Sequence, residues 1–397
     1  MLKYKKMLNK KIIRVTTVPI SLGGLLKGQL KYMSDYFHII GISSRGDVKN
    51  GMYEIDKVGK DENIQVIPVT MTRKITPIQD LKSVYQLYKL FKKEKPDIVH
   101  SHTPKAGTVA MLAAKLAGVK HRLHTIAGLP LLEATGAKRD LLNTVEKATY
   151  SCATKIYPNS YGLYDIIKKN KFTYPEKLKV IARGSSNGID TTYFNPDHFS
   201  EIENTQLRDE LKISATDLVF IFVGRLVKDK GINEMIEAFK KLNATEKKCK
   251  LLLVGTYEKE LDPVKPETEA EINLNPNIIA VGWQTDVRPY FAIADILVFP
   301  SYREGFPNVV MQAGAMGLPS IVTDINGCNE IITTEENGII IPVKSSKALF
   351  LAMKLLLEEE NLREKLASNS RKNICDNYER EFVWQSLLEE YKRLLNS

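Results

Sequence analysis

The sequence predicts two doubly wound α/β domains in tandem, and three observations predict it. Short β-rich runs alternate with helix-length segments along the whole chain, the runs repeatedly end at Gly or Pro, and the pattern restarts near the midpoint. At 397 residues the chain also exceeds what one core usually supports, so two domains of roughly 150–200 residues each are expected.

Taken in order, Lys11–Val18 is rich in β-branched residues and runs into Ser21-Leu22-Gly23-Gly24, after which a helix-like run extends to Asp35. Phe37–Ser43 and Ile64–Val69 are short apolar strands. Pro77–Glu94 has helical spacing in Ile78, Leu81, Val84, Tyr85, Tyr88 and Phe91. Residues 96–100 form a strand with His100–His102 at its C-terminal end; Lys105–Ala117 is a small-residue helix and His121–Thr125 the next strand. Leu141–Ala153 is helical, and the strands Lys155–Pro158 and Leu178–Ile181 close the first series. Asn195–Glu210 is polar, contains Pro196 and lacks periodicity, which places the linker there. The second series has strands at Leu218–Val223, Lys250–Val254, Ile278–Val281, Ile296–Phe299, Ser320–Thr323 and Gly338–Ile341, with a helix over Gly231–Leu242. Tyr378–Leu395 reads as an amphipathic helix carrying Phe382, Trp384, Leu387, Leu388, Tyr391 and Leu394. The domains are therefore 1–200 and 201–379, with the helix 380–397 last. In open sheets of this kind ligands sit at the C-terminal ends of the strands, which points to a cleft between two facing domains.

Composition narrows the class. Hydrophobic residues make up 43% and charged residues 26%, as in an ordinary globular protein. No uncharged apolar run of about 18 residues is present to span a membrane. The basic start (Lys3, Lys5, Lys6, Lys10, Lys11) resembles a signal-peptide n-region, but Arg14 and Gly23-Gly24 break the apolar segment behind it, so it reads as a first strand. Cys152, Cys249, Cys328 and Cys375 are dispersed, which argues against structural zinc or a disulfide framework and fits a reducing cytoplasm. The net charge of +10 is uneven. Residues 1–200 hold 33 basic and 16 acidic groups, a net +17; the rest hold 24 and 31, a net −7. One domain is thus expected to face an anionic partner, such as a lipid surface. Nucleic acid is not expected, since no RNA- or DNA-binding signature accompanies the charge.

Two constellations carry the chemistry. Gly224-Arg225-Leu226-Val227-Lys228-Asp229-Lys230-Gly231 follows a strand and opens a helix, a position expected to present free backbone N–H groups to an anion. Arg225 offers a planar fork for diphosphate oxygens and Lys230 a mobile point charge. Residue by residue these could be ordinary surface cations; the flanking glycines and the strand-to-helix context favour the anion site. In the second, Glu304 closes a strand-end loop, Gly305 lets a ligand approach the backbone, and a helix begins near Pro307. The amides of Phe306, Pro307's neighbours Asn308 and Val309, and Val310 would point at a phosphate or sugar hydroxyl. Gln312, eight residues after Glu304, offers an amide to a ribose diol.

These motifs give the second half a resemblance to family 4 glycosyltransferases of the GT-B fold, built from two facing Rossmann-like domains with a C-terminal helix crossing back to the first. The resemblance implies that Arg225 and Lys230 hold the donor diphosphate. It implies that Glu304 touches the donor sugar, and that position 312 holds the ribose. The family has a second Glu at that position, so Gln312 departs from it. Gly282-Trp283 matches the segment that meets the nucleobase, and Val254-Gly255 the preceding strand-end turn. In the first half, Ser21-Leu22-Gly23-Gly24 matches the family's Gly loop near the phosphates. Residues 97–103 match its strand-end His motif, and His124–Pro130 the segment whose His faces the donor sugar. His102 and Lys105 are acceptor-side candidates. Finer resemblance is to the branch that extends capsule, O-antigen or other glycan precursors on a polyprenyl diphosphate, commonly from UDP-sugars.

What this implies is a retaining transfer with the nucleotide-sugar as substrate and no cofactor. A metal is not expected, because no Asp-x-Asp occurs and Arg225, Lys230 and helix N-termini can stabilise the departing diphosphate. His100 and His102 share a strand face with no third ligand nearby, so a pair of cleft histidines is favoured over a metal site. The expected catalytic residues are Glu304 and His124, with domain closure excluding water. The expected setting is cytoplasmic, peripheral on the inner face of the membrane, with a lipid-linked saccharide as acceptor. Two alternatives stand beside this reading: a UDP-sugar 2-epimerase of similar architecture, and a non-catalytic nucleotide-sugar-binding protein. A nicotinamide dehydrogenase is disfavoured, since no Gly-x-Gly-x-x-Gly follows a strand.

Overall fold

The structure is a computed structural model that describes residues 7–46, 54–72, 76–129, 131, 134–246, 248–258, 260 and 262–397. The chain forms two compact units, Met1–Gly188 together with Glu381–Ser397, and Ile189–Arg380.

The N-terminal unit holds one parallel sheet of β1 (Lys11–Val15), β2 (His38–Ser43), β3 (Gln65–Pro68), β4 (Ile98–Ser101), β5 (His121–Ile126) and β6 (Lys155–Pro158). The strand order is β3-β2-β1-β4-β5-β6, so the order reverses between β1 and β4. Both faces are covered, which is why these strands are apolar on both sides. Ile13, Val15, Ile40, Ile42 and Val99 pack under the helices Pro77–Glu94, Pro104–Ala117, Gly136–Cys152 and Tyr161–Lys169. Ile12, Ile39, Ile98 and Leu123 face the other way, under Pro19–Gly23, Gln29–Ser34, Ile55–Glu62 and the last helix, Arg380–Leu395. That helix completes the second face with Leu387, Leu388, Tyr391 and Leu394.

The C-terminal unit repeats the plan with β7 (Leu218–Val223), β8 (Cys249–Val254), β9 (Ile278–Gly282), β10 (Ile296–Phe299), β11 (Ser320–Thr323) and β12 (Gly338–Ile341). The order is β12-β11-β10-β7-β8-β9, and its reversal lies between β7 and β10.

Three expectations need correction. The first helix-like run is two pieces, Pro19–Gly23 and Gln29–Ser34, because Gly28 turns the chain at φ 79°. Leu178–Ile181 forms no strand; Leu178 makes a single bridge to Ile156. The expected linker is occupied by a helix, Glu201–Glu210, started by a Ser200–Glu203 capping box, and the unit boundary falls at Gly188/Ile189 instead of 200/201. The helix expected at Pro77–Glu94 forms with those bounds, and its apolar positions fall on two faces. Val84 and Phe91 are buried, whereas Ile78, Leu81 and Tyr85 point outward.

Candidate active site

The C-terminal unit gathers its motifs at the reversal between β7 and β10. The loop after β7 carries Arg225 and Lys230, and the loop after β10 carries Glu304. Lys230 Nζ and Glu304 Oε1 form an ion pair, and Ser301 Oγ donates to the same carboxylate oxygen at 3.0 Å. The two loops are tied by Tyr302 N donating to Asp229 O at 2.9 Å, and by Arg303 to Asp229 Oδ2 at 3.0 Å. Gly231, at φ 72°, has no room for a Cβ, which would run into the Pro300 carbonyl. A glycine there lets the two loops touch.

From the other side, the loop after β11 holds Glu304 in place. Thr323 Oγ1 donates to Ser301 O, and Asn326 Nδ2 donates to the carbonyls of Glu304 and, at 3.3 Å, Gly305. A Cβ on Gly327 would lie 2.6 Å from Gly305 O. Cys328 is buried behind this loop, where burial, with Glu304 adding to it, pushes its thiol well above its usual value. It is inert at neutral pH.

The strand ends line up beyond Arg225. Gly224 N donates to Val254 O at 2.9 Å and Gly255 N to Gly282 O at 2.8 Å. Gly255, at φ 146°, abuts the Gly224 carbonyl. Gly282 closes the edge strand β9, and Trp283 beyond it is 61% exposed. Phe306 is buried against Tyr378, with ring centroids 5.5 Å apart. The helix Asn308–Ala315 starts after Pro307, and among the described residues no side chain caps it, so the amides of Asn308 and Val309 remain open to a ligand. Gln312 lies one turn into this helix, half-buried.

The loop after β7 departs from expectation in one respect. Its amides are not free: Lys228 N donates to Asp262 O, Asp229 N to Asp262 Oδ2 at 2.6 Å, Lys230 N to Val227 O, and Gly231 N to Lys228 O. Its capacity for an anion is therefore in its side chains. Arg225 is itself held by Glu258, Nη1 to Oε2 at 2.5 Å. The sequence reading missed Glu258, Asn326 and Asp262, since each acts through a contact distant in sequence, and Ser301, which reaches Glu304 only three residues on but belongs to no spacing motif of its own.

The first-half candidates fare differently. Gly23 packs against Val58, and the Gly24 N–H closes the helix turn to Ile20 O at 2.8 Å, so this segment is a helix end and not an open Gly loop. Lys105 is engaged by Asp80 at 2.5 Å. His124 lies inside β5 with its ring against Gly107, where any Cβ would collide with it; Nδ1 and Ser101 Oγ are 2.9 Å apart. Burial lowers its pKa to about 4, so it is neutral at pH 7. The ring thus lies beneath the helix Pro104–Ala117. Pro130, at the end of the matching segment, lies outside the described residues.

His100 and His102 belong to a buried network at the reversal between β1 and β4. Arg14, fully buried, donates from Nε to His102 Nε2 at 3.0 Å and from Nη2 to Gln29 Oε1 at 2.6 Å. His100 bonds Tyr391 Oη at 2.6 Å and Thr125 Oγ1 at 2.8 Å. Burial holds both imidazoles well below their usual pKa, with Arg14 acting in the same direction. His100, His102, Asn159 and Ser186 line a cavity of about 20 Å³, room for a water. Among the described residues, His102 Nδ1, Asn159 Oδ1 and Ser186 Oγ there lack a protein partner.

Known proteins resemble this chain in sequence and in fold. Residues 203–373 match the family model for glycosyl transferases group 1, and residues 49–160 that for glycosyl transferase 4-like domains. The chain is 32% identical over 390 residues to the capsular polysaccharide biosynthesis glycosyltransferase CapM of Staphylococcus aureus, covering 98% of each. It is 31% identical over 324 residues to the UDP-Gal:α-D-GlcNAc-diphosphoundecaprenol α-1,3-galactosyltransferase of Escherichia coli, covering 80% of this chain and 81% of the relative. The fold matches that of Anabaena HepE, solved in complex with UDP, with a TM-score of 0.79, 18% identity, and 97% and 100% of the two chains covered. With both halves matched and a relative of this identity along its full length, the chain belongs to the glycosyltransferase family of the group 1, 4-like type.

Proposed function

We propose that the protein transfers a hexose or N-acetylhexosamine from a UDP-sugar to a saccharide on a polyprenyl diphosphate, retaining the anomeric configuration and using no metal, in bacterial surface-polysaccharide or glycan synthesis. The observation that carries this reading is the Lys230–Glu304 pair at the reversal point of the C-terminal sheet. It sets a cation for a leaving diphosphate beside a carboxylate for sugar hydroxyls. As the bond from C1 to the diphosphate oxygen lengthens, Arg225 and Lys230 take up the developing charge. The acceptor hydroxyl attacks from the same face, and its proton passes to a phosphate oxygen of the leaving group. Glu304 orients the ring by accepting from its hydroxyls. The open amides of Asn308 and Val309 bind a phosphate or sugar oxygen, Gln312 meets the ribose, and Gly282 and Trp283 meet the base.

Retention is supported by the E. coli relative, whose name gives an α-linked product from UDP-Gal, itself an α-glycosyl donor. The same name supports a lipid diphosphate acceptor, and CapM supports a capsule context. The absence of Asp-x-Asp supports charge stabilisation by side chains. Action at the inner face of the cytoplasmic membrane fits such an acceptor; among the described residues no helix is long and apolar enough to cross a membrane. The test supplies EDTA-treated protein with UDP-Gal, UDP-GalNAc or UDP-GlcNAc and a short-chain polyprenyl-diphosphate sugar, and reads the new linkage by NMR. An α-linked product from one donor is expected. A β-linked product, or turnover that EDTA abolishes and Mn²⁺ restores, contradicts the mechanism. Solvent isotope at the donor's C2 without acceptor would identify a 2-epimerase instead.

A further inference from the structure

The helix Pro77–Glu94 is apolar on two sides. Its inward stripe of Val84, Leu87 and Phe91 fills the core beneath it. Its outward stripe, Ile78, Leu81 and Tyr85, is 78%, 70% and 57% exposed, at the i, i+3, i+7 spacing that defines one helix face. A surface helix of a globular protein needs only the first stripe. The adjoining helix Pro104–Ala117, packed against it, also exposes apolar side chains, Leu112 and Leu116.

The exposed charges on these two helices have one sign. Lys82, Lys89, Lys92 and Lys93 are exposed on the first helix and Lys115 on the second. Lys89 Nζ lies 4.5 Å from the Tyr85 ring centroid, and Lys92 Nζ 6.0 Å from that of Tyr88. Cations stacked on aromatic rings this way keep apolar stems along the surface with charged ends outward. The first helix has two acids, Asp80 and Glu94, and both are already paired, with Lys105 and Lys11. The second has none. Of the basic start, Lys10 and Lys11 are engaged by Asp97 and Glu94, and Lys3, Lys5 and Lys6 lie outside the described residues.

We infer that the outer face of the helices Pro77–Glu94 and Pro104–Ala117 is the surface on which the protein docks to an anionic lipid bilayer, with Ile78, Leu81 and Tyr85 entering the interface and the lysines meeting lipid phosphates. Apolar side chains bring area out of water while flanking cations are attracted to an anionic surface. This deepens the proposed function and rests on it for the reason to dock, a lipid-borne acceptor.

The test is sedimentation of the full chain with vesicles of phosphatidylglycerol and phosphatidylcholine, or of phosphatidylcholine alone, without donor or acceptor. The protein should pellet with the anionic vesicles and be released by salt. The triple change Ile78→Ser, Leu81→Ser, Tyr85→Ser, all outside the core, should lower partitioning at least about tenfold. The pair Lys82→Glu and Lys89→Glu should abolish the preference for phosphatidylglycerol. Leu351→Ser, which removes a leucine 54% exposed on the other unit, should change nothing. Wild-type indifference to phosphatidylglycerol, or full partitioning by the triple variant, overturns the inference. So does a triple variant that changes only self-association in solution, which would make the patch a contact between copies. Because binding is read without turnover, its failure leaves the transfer reaction intact. A protein that partitions but does not act on a water-soluble acceptor analogue contradicts the transfer reaction alone.

Discussion

Gln312 stands where the family has a second glutamate, and the exchange has a measurable consequence. A ribose diol donates more strongly to a carboxylate than to an amide, by about 1 kcal/mol, or roughly fivefold in affinity. Gln312→Glu should therefore tighten UDP binding about fivefold by calorimetry, and unchanged or weaker binding would remove Gln312 from the ribose site. His124 makes a prediction of a different kind. Burial holds its folded-state pKa near 4, below the ~6.5 of an exposed imidazole. Between those values the unfolded chain binds more protons than the folded one, so stability is full above about pH 6.5 and falls as pH drops toward 4. His100 and His102 act in the same direction. The urea midpoint should drop between pH 7 and pH 5, and His124→Gln should flatten part of that slope; an unchanged slope contradicts it. At this scale the meeting of Lys230 with Glu304 was legible because motif spacing carries both. The inward turn of His124 was not, because strand sequence alone does not say which face a residue takes when both faces are buried.

Among the elements, helix Pro104–Ala117 shows two effects in competition. Gly107→Ala gains about 1 kcal/mol of helix propensity, but the new methyl collides with the His124 ring. Overpacking of this kind costs about 1–3 kcal/mol, so the variant should be less stable by denaturant titration, and a more stable one would mean the ring moves aside freely. Strands were the most legible elements: Ile296–Phe299, Ser320–Thr323 and Gly338–Ile341 read from their apolar runs at their full observed extent. The helix Glu201–Glu210 was hidden because it buries no residue and so lacks apolar periodicity. Its one local signal was the Ser200–Glu203 cap.

For the molecule as a whole, the chain uses one sheet order twice, and in each unit the chemistry-bearing side chains collect where that order reverses. The alternation of elements made the doubly wound class readable. The strand order and the partners at the reversals depend on contacts far apart in sequence. The last helix is the clearest case, because Tyr391 reaches back to His100 and Glu390 to Tyr157 and Lys179. Removing residues 381–397 would expose the apolar surface beneath Leu387, Leu388, Tyr391 and Leu394. At about 1.5–3 kcal/mol for each buried side chain, the loss is comparable to the ~5–15 kcal/mol stability of a domain. Hydrogen exchange should then show β1–β6 unprotected while β7–β12 remain protected; retained protection in β1–β6 contradicts this role.

The measurement that bears most directly on the central claim is turnover and UDP binding by Arg225→Ala and Glu304→Ala, each with a competent donor and acceptor. Both should lose about a hundredfold or more in kcat/KM. Arg225→Ala should also bind UDP more weakly, whereas Glu304→Ala should bind it almost as the wild type does, because Arg225 and Lys230 hold the leaving group and Glu304 the sugar. Near-full turnover in both variants would contradict the account.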